Sequence, residues 1–333
     1  MKKKNVVVFG GGTGLSVLLR GLKTFPVSIT AIVTVADDGG SSGRLRKELD
    51  IPPPGDVRNV LVALSEVEPL LEQLFQHRFE NGNGLSGHSL GNLLLAGMTS
   101  ITGDFARGIS EMSKVLNVRG KVLPASNRSI ILHGEMEDGT IVTGESSIPK
   151  AGKKIKRVFL TPKDTKPLRE GLEAIRKADV IVIGPGSLYT SVLPNLLVPG
   201  ICEAIKQSTA RKVYICNVMT QNGETDGYTA SDHLQAIMDH CGVGIVDDIL
   251  VHGEPISDTV KAKYAKEKAE PVIVDEHKLK ALGVGTISDY FVLEQDDVLR
   301  HNASKVSEAI LEGKPRTSSS IQAAALEHHH HHH

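Results

Sequence analysis

The stretch Asn5-Val6-Val7-Val8-Phe9-Gly10-Gly11-Gly12-Thr13-Gly14-Leu15 (residues 5–15) decides how the rest of the chain reads. Asn5–Phe9 is short, apolar and β-branched, the pattern of a strand covered on both faces. Thr13–Lys23 carries Leu15, Leu18, Leu19 and Leu22 at helical spacing. Between strand and helix stand Gly10, Gly11, Gly12 and Gly14 around Thr13. Amides at a helix start attract anions, and glycines let a phosphate approach the backbone. A tight turn alone needs one or two glycines, so four with a threonine favour a phosphate or nucleotide site. The frame is not Gly-x-Gly-x-x-Gly, because the sixth position from Gly10 is Leu15. That counts against an ordinary nicotinamide dehydrogenase. No Gly-Lys-Ser/Thr follows, so it is not a P-loop either.

Outward from this loop, strand-like and helix-like stretches alternate. Ile29–Val35 is a second buried-strand pattern, followed by a long helical stretch over Asp56–Leu116, broken by the Gly-rich Asn81–Gly91. From Val122 to Leu160 the pattern is β-like, and Asp138-Gly139 marks a hairpin between Ile130–Glu135 and Thr140–Glu145. Alternation resumes with helix Pro167–Lys177, strand Val180–Ile183, helix Leu188–Lys206 and strand Lys212–Asn217. Helix Ala230–His240, strand Ile245–Val251 and strand Pro271–Val274 complete the series. This order predicts a three-layer α/β/α, Rossmann-like domain over residues 1–313. Its sheet is mostly parallel, with a β-rich insertion at about 118–162. Residues 314–325 read as a disordered tail, and 326–333 (Leu-Glu and six histidines) as an expression tag.

Composition narrows the class. The 333 residues hold 38 basic and 39 acidic side chains; setting aside Glu327 of the tag leaves 38 of each. Such a balance argues against a nucleic-acid-binding surface. No apolar run approaches the roughly 20 residues of a membrane span. The three cysteines, Cys202, Cys216 and Cys241, form no Cys-x-x-Cys pair, so spacing indicates neither a disulfide framework nor a zinc site. A reducing cytoplasm fits. The 33 glycines are about a tenth of the chain, against roughly 7% in average proteins.

Many of these glycines fall in loops that follow strands, where ligands bind in such sheets. Asp37-Asp38-Gly39-Gly40-Ser41-Ser42-Gly43 follows the second strand. Its carboxylates suit a ribose hydroxyl or Mg²⁺, and Gly39 and Gly40 a second anion nest. Alternatively Ser41 or Ser42 caps a helix. In Gly55-Asp56-Val57-Arg58-Asn59, Asp56 reads as an N-cap. Arg58 opposes the helix dipole there, which favours a phosphate-facing side chain. His88 lies in Ser86-Gly87-His88-Ser89-Leu90-Gly91-Asn92, placed for capping, packing or base work. Gly184-Pro185-Gly186-Ser187 repeats the strand, glycine turn, helix arrangement, with Thr190, Ser191 and Asn195 beyond it. Asn217 to Thr225 is rich in amides and hydroxyls, including Thr220, and suits a base, sugar or acyl group. Gly186-Ser187 lacks the Gly-x-Ser-x-Gly frame of a nucleophile elbow, and no His-Glu-x-x-His is present.

Together these six motifs, in order over roughly residues 4–312, resemble the YvcK/CofD-like family, and most closely its YvcK branch of bacterial gluconeogenesis factors. The resemblance implies a Rossmann-like α/β/α fold. It implies a regulatory protein required for growth and cell shape on gluconeogenic carbon sources, one that binds UDP-sugars, notably UDP-N-acetylglucosamine, with no established reaction. The CofD branch implies the alternative, a 2-phospho-L-lactate transferase that moves a phospho-group from a nucleotide-activated donor with Mg²⁺. Asp37, Asp38 and His88 are then the catalytic candidates. Shared site motifs fall on Gly10–Gly14, Asp37, Asp38, Ser41, Ser42, Asn59, His88, Asn92, Gly184, Gly186 and Ser187. In the YvcK branch an aromatic and a basic residue are further linked to the UDP-sugar, matching Tyr264 and Arg300 here. A homodimer is expected from symmetry statistics alone.

Overall fold

A computed structural model describes residues 2–312. The expected tail and tag lie outside the described residues. Val6, Val7, Val8 and Phe9 are all essentially inaccessible, as a strand sandwiched between two helical layers must be. They belong to β1 (Lys4–Gly10), the centre of a seven-stranded sheet. Its other members are β2 (Val27–Val33), β3 (Lys121–Pro124), β7 (Val180–Ile183), β8 (Arg211–Ile215), β9 (Asp248–His252) and β10 (Gly285–Asp289). The order is β10-β9-β8-β7-β1-β2-β3, every pairing parallel. The chain leaves β1 for β2 on one side and returns to β7 on the other. The crevice between β1 and β7 is therefore the topological switch point, where ligands of such sheets bind.

The β-rich middle divides. β3 joins the main sheet at its edge, so the start of the expected 118–162 insertion is part of the core. The separate piece is a three-stranded antiparallel sheet of β4 (Ile131–Met136), β5 (Ile141–Thr143) and β6 (Ile155–Thr161), with the Asp138-Gly139 turn joining the first two. A third unit, absent from the pattern reading, is the ribbon of β11 (Val292–Gln295) and β12 (Val298–His301).

Six helices lie between β1 and β3: α1 (Gly12–Leu22), α2 (Gly40–Leu49), α3 (Gly55–Leu64), α4 (Pro69–Gln76), α5 (Leu90–Thr102) and α6 (Phe105–Val115). The second half adds α7 (Arg169–Lys177), α8 (Leu193–Leu196), α9 (Ile201–Gln207), α10 (Ala230–Cys241), α11 (Asp258–Ala265), α12 (Glu276–Ala281) and α13 (Ala303–Glu312). The helix expected over 188–206 is three pieces. A π-turn spans Leu188–Val192, and Pro199-Gly200 separates α8 from α9. Gly200 has a φ of 94°, which no helix accommodates. Pro271–Val274 is no strand, only a single bridge from Pro271 to Met219. Leu15, Leu18, Leu19 and Leu22 are buried as their spacing predicts, and one hydrophobic cluster runs through both halves. Cys202 and Cys241 form a disulfide with Cα atoms 5.5 Å apart, which corrects the reading from spacing. The two residues are 39 apart in sequence, so only the tertiary packing reveals the pair. Among the described residues no single helix is long and apolar enough to cross a membrane.

Candidate functional site

The glycine loop opens α1 at the carboxyl end of β1. Gly12 has a φ of 75°, a left-handed conformation that side chains disfavour. Its amide donates to the Asp56 carboxylate. Asn195, fully buried on α8, donates through Nδ2 to the Gly10 carbonyl at 3.0 Å and anchors the loop from below. The loop separates two regions of opposite character.

One region is a concentration of carboxylates. Single oxygens of Asp37, Asp38 and Glu145 lie within 4.8 Å of one another. Asp37 accepts from the Gly39 amide at 2.9 Å, and Asp38 from the Ser146 amide at 3.0 Å. The second contact brings in the β5–β6 connection, so the antiparallel insertion supplies a wall of the site. Burial, then the neighbouring carboxylates Asp37, Asp56, Asp38 and Glu224, pushes Glu145 up to about 8. Burial and Asp37 raise Asp56 to about 6, against the opposing pull of the Gly12 amide and Arg58. Glu224 is buried and accepts from the Thr190 hydroxyl at 3.1 Å; burial raises it to about 7. Glu145 and Glu224 thus titrate at or above neutrality and Asp56 just below it, unless a cation lies beside them. The hard oxygen donors of Asp37, Asp38 and Glu145 suit Mg²⁺.

The other region is a cleft of about 330 Å³. Gly11–Gly14 form one wall, Pro185–Ser187 with Ser191 the floor, and Asn217–Gln221 the far side. Tyr264, Leu299 and His301 close it from the ribbon and α11. A satellite cluster of Ile256, Val260 and Val292, packed with Val218, Tyr264 and Leu299, holds that wall in place. The Tyr264 hydroxyl accepts from the Leu299 amide at 3.1 Å, which fixes the ring. No Lys, Arg, Asp or Glu lines this cleft among the described residues.

The expected site residues separate accordingly. Gly11, Gly12, Thr13, Gly14, Gly186, Ser187, Asn217, Thr220 and Tyr264 line the cleft. Asp37 and Asp38 belong to the carboxylate group. Ser41, Ser42, Arg58, Asn59, His88 and Asn92 form a tied network instead. Arg58 does not face a phosphate: it is 7% exposed. Its guanidinium donates to Gln76 (2.6 Å), Asn92 (2.5 Å), Ser89 (3.1 Å) and Asn59 (3.3 Å). Side-chain oxygens satisfy the charge that the helix dipole opposes, so no anion is required. His88 is buried, with Nδ1 paired to Ser41 at 2.6 Å, and Asn92 donates to the same hydroxyl at 2.9 Å. Ser42 caps no helix of its own; it accepts from the Gly55 amide at 3.0 Å and holds the start of α3. Gly39 and Gly40 open α2, the Gly39 amide being engaged by Asp37. Arg300 is exposed and outside the cleft lining, because alternation along β12 turns Leu299 and His301 inward. Sequence reading missed Glu145, Glu224 and His301. Only His301 left a signal, through its two-residue spacing from Leu299.

The fold and site define a Rossmann-like α/β/α protein with its cleft at the switch point. The chain belongs to the CofD family: the family description "2-phospho-L-lactate transferase CofD" matches residues 6–292. It is 63% identical over 311 residues to the gluconeogenesis factor of Bacillus subtilis, covering 93% of this chain and 98% of that one. The gluconeogenesis factor of Listeria monocytogenes is 46% identical over 317 residues, covering 95% and 98%. A crystal structure of a UPF0052 family protein from Bacillus halodurans superposes with a TM-score of 0.92. It is 99% identical, and the match covers 93% of this chain and all of that one. The resemblance to the YvcK/CofD-like family and the expected fold class are thereby established.

Proposed function

We propose that the protein is a gluconeogenesis factor that binds a nucleotide sugar, UDP-N-acetylglucosamine first among them, and acts in the cytoplasm as a regulator of gluconeogenic growth and cell shape. The observation that carries this reading is the cleft. Helix-start amides at Thr13 and Gly14 offer a seat for a diphosphate, Tyr264 an apolar ring for a pyrimidine, and Asn217–Gln221 amides and hydroxyls for sugar. The names of the relatives, gluconeogenesis factors, support the gluconeogenic part of that role. Calorimetric titration with UDP-N-acetylglucosamine and other UDP-sugars is the direct test. Absence of heat with every UDP-sugar, for correctly folded protein, rejects the reading.

The Asp37–Asp38–Glu145 group favours a second reading, a phospho-group transferase of the CofD type. Mg²⁺ held there would neutralise phosphate charge beside the glycine loop. An Asp37→Asn, Asp38→Asn variant that retained full transferase activity would remove the metal from that scheme.

A further inference from the structure

The cleft is lined by no charged side chain to meet an anion, yet its glycine wall is the start of α1, where no N-cap side chain bonds the amides. One side chain bridges that gap. His301 ends β12, and its ring reaches across to the first turn of α1. A Cβ placed on Gly14 would lie 3.0 Å from His301 Nε2 and 3.4 Å from Cδ2. Real Cβ contacts of 3.0 Å are rare, so glycine at 14 is what lets the imidazole edge sit against this backbone. Burial keeps the ring neutral. No hydrogen bond to either ring nitrogen is made among the described residues, although His88, His133, His233, His240 and His252 all have ring partners. His301 stands apart as a half-buried imidazole aimed into a cleft with its polar edge unspent. The family match ends at residue 292, so His301 lies beyond the residues matched to the transferase description.

We propose that His301 is a phosphate-binding residue, donating from Nε2–H to a phosphate oxygen of a diphosphate seated on the Thr13 and Gly14 amides. This assignment rests on the nucleotide-sugar reading for its natural ligand, but not for its chemistry: a bare diphosphate presents the same oxygens. A neutral donor also explains the absence of Lys or Arg. Affinity comes from oriented N–H groups and stays modest and reversible, as a regulator requires.

Two probes, UDP-N-acetylglucosamine and inorganic pyrophosphate, are titrated calorimetrically into the wild-type chain, His301→Ala and His301→Gln. Uridine serves as the phosphate-free control. His301→Ala should weaken both phosphate probes about tenfold, the equivalent of one neutral hydrogen bond of roughly 1.4 kcal/mol. His301→Gln keeps an N–H donor and should stay within about threefold of wild type, and uridine should bind both variants as it binds wild type. A merely structural role would weaken uridine equally and would not be rescued by glutamine. Undiminished binding of both phosphate probes to His301→Ala overturns the assignment alone. Wild-type binding of pyrophosphate but not of UDP-N-acetylglucosamine overturns the nucleotide-sugar reading and leaves the His301 comparison to be read on pyrophosphate. Binding of neither probe by wild type overturns both.

Discussion

Replacing Glu145 with glutamine should stabilise the protein at high pH and leave it unchanged in acid. In the folded chain burial and four neighbouring carboxylates raise Glu145 from its ordinary 4.5 to about 8. The unfolded chain ionises near 4.5, so between these values the folded state holds the extra proton. Stability therefore falls as pH rises through that window, and the full cost is present only above 8. Moving a carboxyl that far corresponds to roughly 5 kcal/mol against ionisation. Because Glu145 is only partly buried, solvent screening reduces this to about 2 kcal/mol. For a domain of this size that is about 3 °C in melting temperature. Thermal melts of wild type and Glu145→Gln at pH 5, 7 and 9, without divalent cations, measure it. The expected gain is under about 1 °C at pH 5, rising to about 3 °C at pH 9. Equal melting at pH 9, or a gain just as large at pH 5, would refute the electrostatic reasoning.

Other outcomes follow from the same geometry. Arg58→Ala should lower stability by about 3 kcal/mol in urea denaturation, because it leaves the buried Asn92 oxygen without its donor and unties Ser89 and Gln76 from α3. Gly12→Ala places a side chain at positive φ and should cost about 1–2 kcal/mol, with a parallel loss of UDP-sugar affinity by calorimetry. Millimolar Mg²⁺ should raise the wild-type melting temperature at pH 8 and should not raise that of the Asp37→Asn, Asp38→Asn double variant. A wild-type melting curve indifferent to Mg²⁺ would exclude a cation at this cluster.

What the sequence discloses is local. Residues 5–15 disclose strand, loop and helix because each follows from a short-range period, and the alternation of such units implies the parallel sheet. The same reasoning singles out Gly12, Asp37 and Ser187, because the loops that carry them are local, while the fold places Gly12 and Ser187 along the cleft and Asp37 among the carboxylates. It misassigns Arg58, because the oxygens that satisfy it come from α4 and α5, and no spacing reports them. It misses Glu145, which an unrelated-looking hairpin delivers to Asp38 through the Ser146 amide. It misses the Cys202–Cys241 bond for the same reason. The break at Pro199-Gly200 was visible in the letters, but apolar periodicity on both sides concealed it.

The last helix bears on how the cleft comes into being. α13 packs along α1, where Ala303 meets Gly21, and the Lys4 ammonium reaches back to the Leu311 carbonyl at 3.1 Å. The ribbon that carries His301 immediately precedes that helix. The glycine loop is thus synthesised well before the wall that faces it. Synthesis must pass residue 301 before both sides of the cleft exist, so a ligand that needs both can stabilise only a chain that already carries the ribbon.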